Sequence, residues 1–496
     1  MAEKPKKPGW AVRGVRSWGL AAAVLALLVV VLLPPPAGLP VAGQNMLGIL
    51  AFAVILWMTE ALDYAVSAVV ISALMAFLLG MAPNAAKPGQ LLGTSAALTM
   101  ALGGFANTAL ALVAAALFLA AAMQVTGLDR RIALVVLSRM GGRTNRVVVG
   151  AILTGTVMAF FVPSTTARVA CLVPITLGMI HAFGAGQKSR LAALLMITTC
   201  QTASIWNVGI KTAAAQNLVM IGFAEKILGA TVTWLDWFVA AAPWAILMSV
   251  ALYFVMMWML PPETAEIAGG QQAIAAELKK LGPTRPAEIK LMAIAVILLA
   301  FWATEGVLHP FDSSTTTVTA IAVMFLPGIG IMDWKTAQAK IPWGTILLFG
   351  VGISLGTALL QTQAAGWLAG IVVSGLGLQL AAPLTVLAVL AAFLIVIHLG
   401  FASATALASA IIPIVIGVLQ HVQTPGIHVL GMTLLLQFVV SFGFILPVNA
   451  PQNMVAYGTD TFTSRDFIRT GLVLTVLGYV LLLALSATYW RWLGYL

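Results

Sequence analysis

Long apolar segments alternate with short polar ones along the whole chain. A helix needs about 20 predominantly apolar residues to cross a bilayer. Segments suited to this role lie near 17–36, 42–60, 64–82, 97–125, 190–226, 237–260, 291–309, 315–331, 343–363, 428–459 and 470–491. The pattern therefore predicts an all-α integral membrane protein with about eleven transmembrane helices.

Two further apolar segments are interrupted near their middle. The first, 147–181, breaks at a Pro-Ser pair at 163–164, and the second, 382–420, breaks at an Ala-Ser pair at 402–403. Counting either segment as a simple crossing would put basic loops on the wrong side of the membrane. We therefore predict two re-entrant hairpins, each of which enters and leaves on the same side.

The basic residues are concentrated in a few of the loops. Most of the 25 Lys and Arg residues fall in the tail 1–16, in the loop after the fourth span and in the polar stretch 261–290. Basic loops stay on the cytoplasmic side of a membrane. We expect an inner-membrane protein with a cytoplasmic amino terminus, a cytoplasmic basic tail at 1–16 and a cytoplasmic linker at 261–290.

The composition excludes a soluble protein and argues against an enzyme. The chain is 61% hydrophobic and only 8% charged, whereas soluble domains are about 25% charged. Its two cysteines lie in apolar runs, and the HExxH, GxxxxGK[ST] and GxSxG motifs do not occur. We expect no cofactor, no resident metal, no nucleic-acid partner and no nucleotide-driven pump.

An internal repeat relates the two halves of the chain. The sequence PSTTARVACLVPI at 163–175 corresponds to ASATALASAIIPI at 402–414, with the two serines 239 residues apart. Downstream, AAAQN at 213–217 recurs as NAPQN at 449–453, with an offset of 236 residues. Two matches at nearly one offset indicate a duplication of the kind found in transporters.

The repeat predicts two halves of opposite orientation, 17–260 and 291–496. Each half has one hairpin and one apolar segment, 190–226 or 428–459, that is interrupted by polar residues or prolines. Backbone groups freed by such breaks are tolerated in a membrane only where they line a protein cavity. Because the amino termini of half-helices attract anions, the two hairpins and two broken helices predict an anion site near the membrane midplane.

At these motifs the chain resembles the divalent anion/sodium symporter family, the dicarboxylate and citrate transporters of the ion transporter superfamily, from about 45 to 490. In that family each hairpin tip carries Ser-Asn-Thr and each broken helix a Thr-Pro-Pro-Asn-like stretch. Here the tips are Ser-Thr-Thr at 164–166 and Ser-Ala-Thr at 403–405. The resemblance implies a homodimer in membrane lipid whose tips bind substrate carboxylates and help to coordinate two sodium ions.

The tips and the breaks supply the candidate substrate-binding residues. They are Ser164, Thr165, Thr166, Arg168, Ser403, Ala404, Thr405, Asn217, Asn449, Ala450, Pro451 and Asn453. Arg168 lies one helical turn after the first tip, where a guanidinium can hold a carboxylate bidentately. The alternative for Arg168 is a structural role, reaching the cytoplasmic surface or pairing with Glu305.

A second set of residues is predicted to compensate charge or to couple transport to an ion. The set is Asn207, Gly209, Lys211, Thr212 and His398. Lys211 lies in the first helix break, where its ammonium would supply the charge that a sodium ion supplies in the relatives. A lysine that reaches solvent and a hydrogen-bonded core histidine are the alternatives for Lys211 and His398, and Thr212, Asn217 and Asn453 also suit helix caps.

These features predict a secondary active transporter of small organic anions, with dicarboxylates as the expected substrates. One hairpin and one broken helix from each half would form a mobile unit that moves against a scaffold, an elevator-type alternating access. The changed tip motifs and Lys211 favour sodium-independent anion exchange. The alternatives are a sodium-coupled dicarboxylate, citrate or sulfate symporter, an anion channel, and the membrane subunit of a binding-protein-dependent transporter.

Overall fold

The computed structural model describes residues 9–84, 87–141, 143–182, 184–264 and 270–496. These residues form α-helices almost throughout, which confirms the predicted all-helical membrane fold. The predicted basic tail lies partly outside the described residues, as does the middle of the predicted linker. One small exception to the helical fold is an antiparallel pair of strands, β1 (Pro83–Asn84) and β2 (Lys87–Leu91).

The helices that precede the linker are described first. They are α1 (Gly9–Leu32), α2 (Val41–Thr59), α3 (Tyr64–Leu74), α4 (Thr94–Leu102), α5 (Thr108–Thr126), α6 (Leu128–Ser138), α7 (Thr144–Phe161), α8 (Thr165–Ala182), α9 (Arg190–Gly209), α10 (Ala215–Phe223) and α11 (Trp234–Met259). Two π-helical segments, Met75–Leu79 and Ala224–Leu228, extend α3 and α10, while 3-10 turns occupy Gly103–Phe105 and Lys211–Ala213.

The linker and the second half follow. Their helices are α12 (Gly270–Lys280), α13 (Pro286–Ala303), α14 (Ser313–Phe325), α15 (Trp334–Lys340), α16 (Trp343–Gln361), α17 (Ala364–Gly375), α18 (Pro383–His398), α19 (Ala404–His421), α20 (Val429–Val440), α21 (Pro451–Tyr457), α22 (Ser464–Ala487) and α23 (Tyr489–Trp492). A 3-10 turn at Pro447–Asn449 precedes α21.

Ten helices in the described part of the chain are long and apolar enough to cross a membrane. They are α2, α5, α7, α8, α9, α11, α13, α16, α19 and the segment Ser464–Trp492. The number is near the predicted eleven, but the set differs, because the arms α7, α8 and α19 of the interrupted segments qualify. The predicted spans near 17–36, 64–82 and 315–331 appear instead among shorter apolar helices of 10–17 residues.

The predicted span 97–125 is two helices rather than one. Asn107 separates α4 from α5, and its side-chain oxygen accepts hydrogen bonds from the backbone N–H groups of Ala109 (2.8 Å) and Leu110 (3.4 Å). An asparagine at this position satisfies the orphan donors of a new helix. The arginine-rich loop after this span is also partly helical, as α6, and α17 is a helix where no element was predicted.

Each interrupted segment unwinds where the sequence predicted a break. The helices α7 and α8 are separated by residues 162–164, and α18 and α19 by residues 399–403. The broken helices unwind at 210–214, between α9 and α10, and at 441–450, between α20 and α21. The sides from which the hairpins enter the membrane, and the inverted relation of the halves, stay predictions.

Packing between the halves brings the four breaks together. The hairpin helix α8 packs on α9 of its own half and on α21 of the other half. In the same way, α19 packs on α20 of its own half and on α10 of the other half. Helix α9 is buried from Leu191 to Gly209, so the site described next lies in the interior of the helical assembly.

Candidate functional site

A cavity of about 410 Å³ lies where the breaks meet. Ten of the predicted site residues line it: Ser164, Thr165, Thr166, Asn207, His398, Ser403, Ala404, Thr405, Ala450 and Pro451. The remaining predicted residues do not line the cavity: Arg168, Gly209, Lys211, Thr212, Asn217, Asn449 and Asn453. Both tips therefore face one space, as the repeat predicted, whereas several polar residues of the breaks lie behind its wall.

The two tip serines have the same local geometry. The Ser164 hydroxyl oxygen accepts a hydrogen bond from the Ala167 N–H, and that of Ser403 accepts one from the Ala406 N–H, both at 3.3 Å. Each serine caps the helix that it precedes, because its oxygen satisfies an orphan donor of the first turn. Within the described part of the chain the Ser164 hydroxyl donates no hydrogen bond, and the Ser403 hydroxyl interacts with Tyr64, which also lines the cavity. A carboxylate in the cavity would accept from such hydroxyls.

Thr165 and Arg168 are joined through Asn207. The side-chain oxygen of Asn207 accepts from the Thr165 hydroxyl at 2.7 Å and from Arg168 Nη2 at 2.5 Å. Thr165 and Asn207 line the cavity, so the guanidinium lies one side chain behind the wall. A positive charge at this depth attracts an anion in the cavity without touching it.

Arg168 is fully buried, and its terminal nitrogens contact oxygen atoms of the first hairpin and of the first broken helix. Besides Asn207, its guanidinium donates to the carbonyl oxygens of Val162 (3.2 Å), Ala213 (3.3 Å) and Ala203 (3.4 Å). It thus ties the hairpin break to helix α9 and to the break that follows α9. Arg168 lies behind the cavity wall in this structure, which favours an indirect electrostatic role over the predicted direct clamp on a carboxylate.

The alternative partner predicted for Arg168 is not used either. Glu305 accepts hydrogen bonds from the N–H of Ser313 (3.1 Å), from the Ser313 hydroxyl and from the N–H of Trp234 (3.4 Å). The charge of Arg168 is therefore balanced by neutral oxygens alone among the described residues. A buried cation held in this way keeps its positive field toward the cavity.

The second half has different residues at the positions equivalent to Thr165 and Asn207. Ala404 and Gly443 stand where the first half has Thr165 and Asn207, and both line the cavity. A Cβ atom on Gly443 would lie 3.7 Å from Cε1 of the His398 imidazole, so the ring occupies this neighbourhood. His398 is 2% exposed, and neither ring nitrogen has a hydrogen-bond partner in the described part of the chain.

Three of the predicted asparagines satisfy backbone groups at the breaks. Asn449 donates to the carbonyl oxygens of His398 (2.8 Å) and Phe401 (3.1 Å). Asn217 donates to the Asn207 carbonyl (2.6 Å), and Asn453 donates to the Gly443 carbonyl (2.9 Å), with the same offset of 236 residues between donors and between acceptors. These residues hold the breaks together, which is the helix-capping alternative raised from the sequence for Asn217 and Asn453.

Lys211 and its neighbours face away from the cavity. The Lys211 ammonium donates to the Val232 carbonyl at 2.7 Å, and the Thr212 hydroxyl accepts from the indole N–H of Trp234 at 3.4 Å. Gly209 leaves room for an indole, since a Cβ there would lie 2.8 Å from Trp206 Cε3. In this structure Lys211 lies away from the cavity, so the geometry favours Arg168 over Lys211 as the buried cation that compensates charge at the site.

Several cavity residues were not predicted. They are Tyr64, Gln124, Gln216, Lys340, Thr345, Ser441 and Gln452. Gln216 and Gln452 stand at the shared glutamine of the AAAQN and NAPQN repeats, so the sequence held a signal for them. Lys340, at the end of α15, is exposed, and a basic group at the edge of a cavity raises the local concentration of anions.

Comparison with known proteins identifies relatives over nearly the whole chain. The family described as "Sodium:sulfate symporter transmembrane region" matches residues 15–496. A membrane protein of Cupriavidus necator is 58% identical over 479 residues, covering 96% of this chain and 93% of the relative. The L-tartrate/succinate antiporter of Escherichia coli K12 is 26% identical over 492 residues, covering 95% of this chain and 98% of the relative.

Two solved structures share the fold. The YdaH transporter of Alcanivorax borkumensis covers 88% of this chain and 98% of its own, with a TM-score of 0.56 and 15% identity. MtrF of Neisseria gonorrhoeae covers 87% of this chain and 94% of its own, with a TM-score of 0.52 and 15% identity. The family match spans nearly the whole chain and confirms the resemblance seen at the tips. The chain therefore belongs to the sodium:sulfate symporter family and is a multi-pass membrane transporter rather than an enzyme.

Proposed function

We propose that this transporter exchanges small dicarboxylates across the membrane without using sodium. The observation that carries the proposal is the guanidinium of Arg168, which donates to four oxygens at the first hairpin and helix breaks. Backbone carbonyls at breaks of this kind are the groups that ligate sodium in secondary transporters. In this chain the guanidinium of Arg168, a cation that belongs to the protein, donates hydrogen bonds to these carbonyls in place of a bound sodium ion.

The fixed cation disfavours sodium binding for two reasons. The carbonyls of Val162, Ala203 and Ala213 already accept hydrogen bonds from Arg168. A sodium ion about 4 Å from the guanidinium would also be repelled by about 4 kcal/mol at an effective dielectric constant of 20. The second half lacks side-chain oxygens at Ala404 and Gly443. In that half the carbonyl oxygens of His398 and Phe401 already accept hydrogen bonds from Asn449.

The same arrangement suits an anion with two carboxylates. Each tip offers a serine hydroxyl, a threonine hydroxyl and the amino-terminal end of an 18-residue helix. Such groups bind a carboxylate favourably. Because the two tips come from opposite halves and face one cavity, a short dianion would meet the same groups at both ends.

Exchange follows from the charge of the empty site. Moving an uncompensated cation through the membrane interior costs several kcal/mol. A bound dianion compensates the charge of Arg168, and its remaining negative charge is stabilised by the tip hydroxyls and by the amino-terminal ends of α8 and α19. The loaded transporter would therefore change sides readily and the empty one slowly, which makes uptake of one anion depend on release of another.

The wider arrangement is proposed with this function. One hairpin and one broken helix from each of two inverted repeats, 17–260 and 291–496, would form the unit that moves in an elevator-type cycle. The protein would work as a homodimer in the inner membrane, with its amino terminus in the cytoplasm and the 261–290 linker on the same side. The L-tartrate/succinate antiporter relative supports the choice of dicarboxylates and of exchange.

Removing either tip hydroxyl should weaken anion binding. We expect Ser164→Ala and Ser403→Ala each to raise the Kd for succinate about 10-fold, because a hydrogen bond to a charged acceptor contributes about 1.5 kcal/mol. The double variant should raise the Kd for succinate about 100-fold. Radiolabelled succinate binding to the purified protein measures these losses separately from the transport cycle.

The matched control is Ser486→Ala. Ser486 is a buried serine on α22 that does not line the cavity and whose hydroxyl lacks a partner within the described residues. Its replacement should leave the Kd for succinate within twofold of the wild type. Tip variants that bind succinate as tightly as Ser486→Ala does would refute the assignment of the anion site to the hairpin tips.

A further inference from the structure

Two glutamines occupy repeat-related positions in the cavity wall. Gln216 is the second residue of α10 and Gln452 the second residue of α21, and both line the cavity. Each side chain is only 6% exposed. Both stand one residue before the asparagines that hold the breaks together, so their backbone positions are fixed by the fold.

The two glutamines reach across the junction of the halves in a reciprocal way. Gln216 Nε2 of the first half donates to the Ser441 hydroxyl of the second half at 3.3 Å. Gln452 Nε2 of the second half donates to the Ser204 hydroxyl of the first half at 3.4 Å. The two carboxamides thus lie where the halves meet, in the cavity that both hairpin tips also line.

The oxygens of these carboxamides are free to accept hydrogen bonds. Among the described residues neither Gln216 Oε1 nor Gln452 Oε1 accepts one, and neither atom is sealed from the cavity. An ionised carboxylate only accepts, so it cannot satisfy such an oxygen. A hydroxyl group on a ligand can donate to it.

We infer that Gln216 and Gln452 select dicarboxylates that carry hydroxyl groups on the carbons between the two carboxylates. The inference depends on the proposed binding of a dicarboxylate to the two tips. With its carboxylates held at the tips, the ligand presents its central carbons to the junction of the halves, where each glutamine oxygen accepts from one hydroxyl. A ligand without hydroxyls leaves both oxygens without a donor, and sites built around a ligand hydroxyl discriminate strongly against analogues that lack it.

Three dicarboxylates of equal chain length test the inference. Succinate has no hydroxyl on its central carbons, L-malate has one and L-tartrate has two. In counterflow by the purified protein in succinate-loaded liposomes, the KM should fall in the order succinate, L-malate, L-tartrate. This wild-type order is independent of any variant, so it can be measured even if a substitution prevents folding.

The variants Gln216→Met and Gln452→Met keep the side-chain length and remove the amide. Each should reduce the preference for L-tartrate over succinate at least 10-fold, measured as the ratio of the two KM values for the same variant. Gln361→Met is the matched control, because Gln361 ends α16 outside the cavity, and it should leave the preference unchanged.

Three results would overturn the inference. If the wild type transports succinate at least as well as L-tartrate, the glutamine oxygens do not accept hydrogen bonds from ligand hydroxyl groups. If the glutamine variants lose all three substrates equally, the amides bind carboxylates through their N–H groups instead. If the wild type transports none of the three anions, the proposed function fails together with this inference.

Discussion

Replacing Arg168 with methionine is expected to lower sodium-free exchange at least 100-fold. The substitution removes a hydrogen-bond donor from three buried carbonyl oxygens and from the buried side-chain oxygen of Asn207. Each buried acceptor left without a donor costs about 1–3 kcal/mol, and the cavity also loses its fixed cation. Arg168→Lys should lose most of this activity as well, because a point ammonium cannot reach the oxygens that the planar guanidinium joins.

Sodium should partly replace the lost guanidinium. In Arg168→Met the three carbonyl oxygens lose this donor, and the Asn207 side-chain oxygen keeps only its hydrogen bond from Thr165. Sodium ions should therefore raise the melting temperature of this variant and leave that of the wild type unchanged. Arg146→Met, which removes an exposed arginine outside the cavity, should behave like the wild type. If Arg168→Lys exchanges normally and sodium does not stabilise Arg168→Met, Arg168 has a structural role only.

The largest effect on the second half is expected from Gly471→Ala. Helix α22 passes directly against the unwound segment that begins at Ser441, and a methyl group on Gly471 would overlap the Phe444 carbonyl oxygen and lie 2.7 Å from its carbon. That oxygen also accepts from Gln201 Nε2 at 3.0 Å. Because backbone rather than a flexible side chain must yield, the cavity wall at Ser441 and Gly443 should shift. We expect transport to fall at least 10-fold and the melting temperature to fall as well.

The matched control for this substitution is Gly370→Ala. Gly370 lies inside helix α17, and no atom lies within 4 Å of a Cβ placed there. Alanine favours helix over glycine by about 1 kcal/mol, so this variant should be at least as stable as the wild type and equally active. Wild-type transport by Gly471→Ala would contradict the close packing of α22 on the second break.

The sequence was sufficient for the elements and for the tips. Span lengths, proline positions and the repeated Ser-x-Thr motifs are local features, and they predicted breaks at 163–164 and 402–403, which fall within the observed breaks at 162–164 and 399–403. The split of 97–125 was missed because the cap at Asn107 interrupts an otherwise continuous apolar run. The helix α17 was missed because a short apolar helix has too few residues for the span criterion.

The sequence was not sufficient to assign roles to the polar residues of the breaks. Unwound backbone has no fixed periodicity, so neighbouring side chains can point to opposite sides. Lys211 therefore reaches Val232, whereas Gln216, five residues later, faces the cavity. The position of Arg168 is decided by carbonyls as far along the chain as Ala213, and only the folded chain brings those atoms together.

The central claim is that a cation fixed in the protein replaces a bound sodium ion and makes the transporter an obligatory exchanger. Uptake of radiolabelled succinate by the purified protein in liposomes tests it most directly, with the liposomes loaded with succinate or empty, and with sodium or choline outside. We predict rapid uptake into loaded liposomes at equal rates in sodium and in choline, and little uptake into empty ones. Uptake into empty liposomes that rises steeply with an inward sodium gradient would contradict the claim.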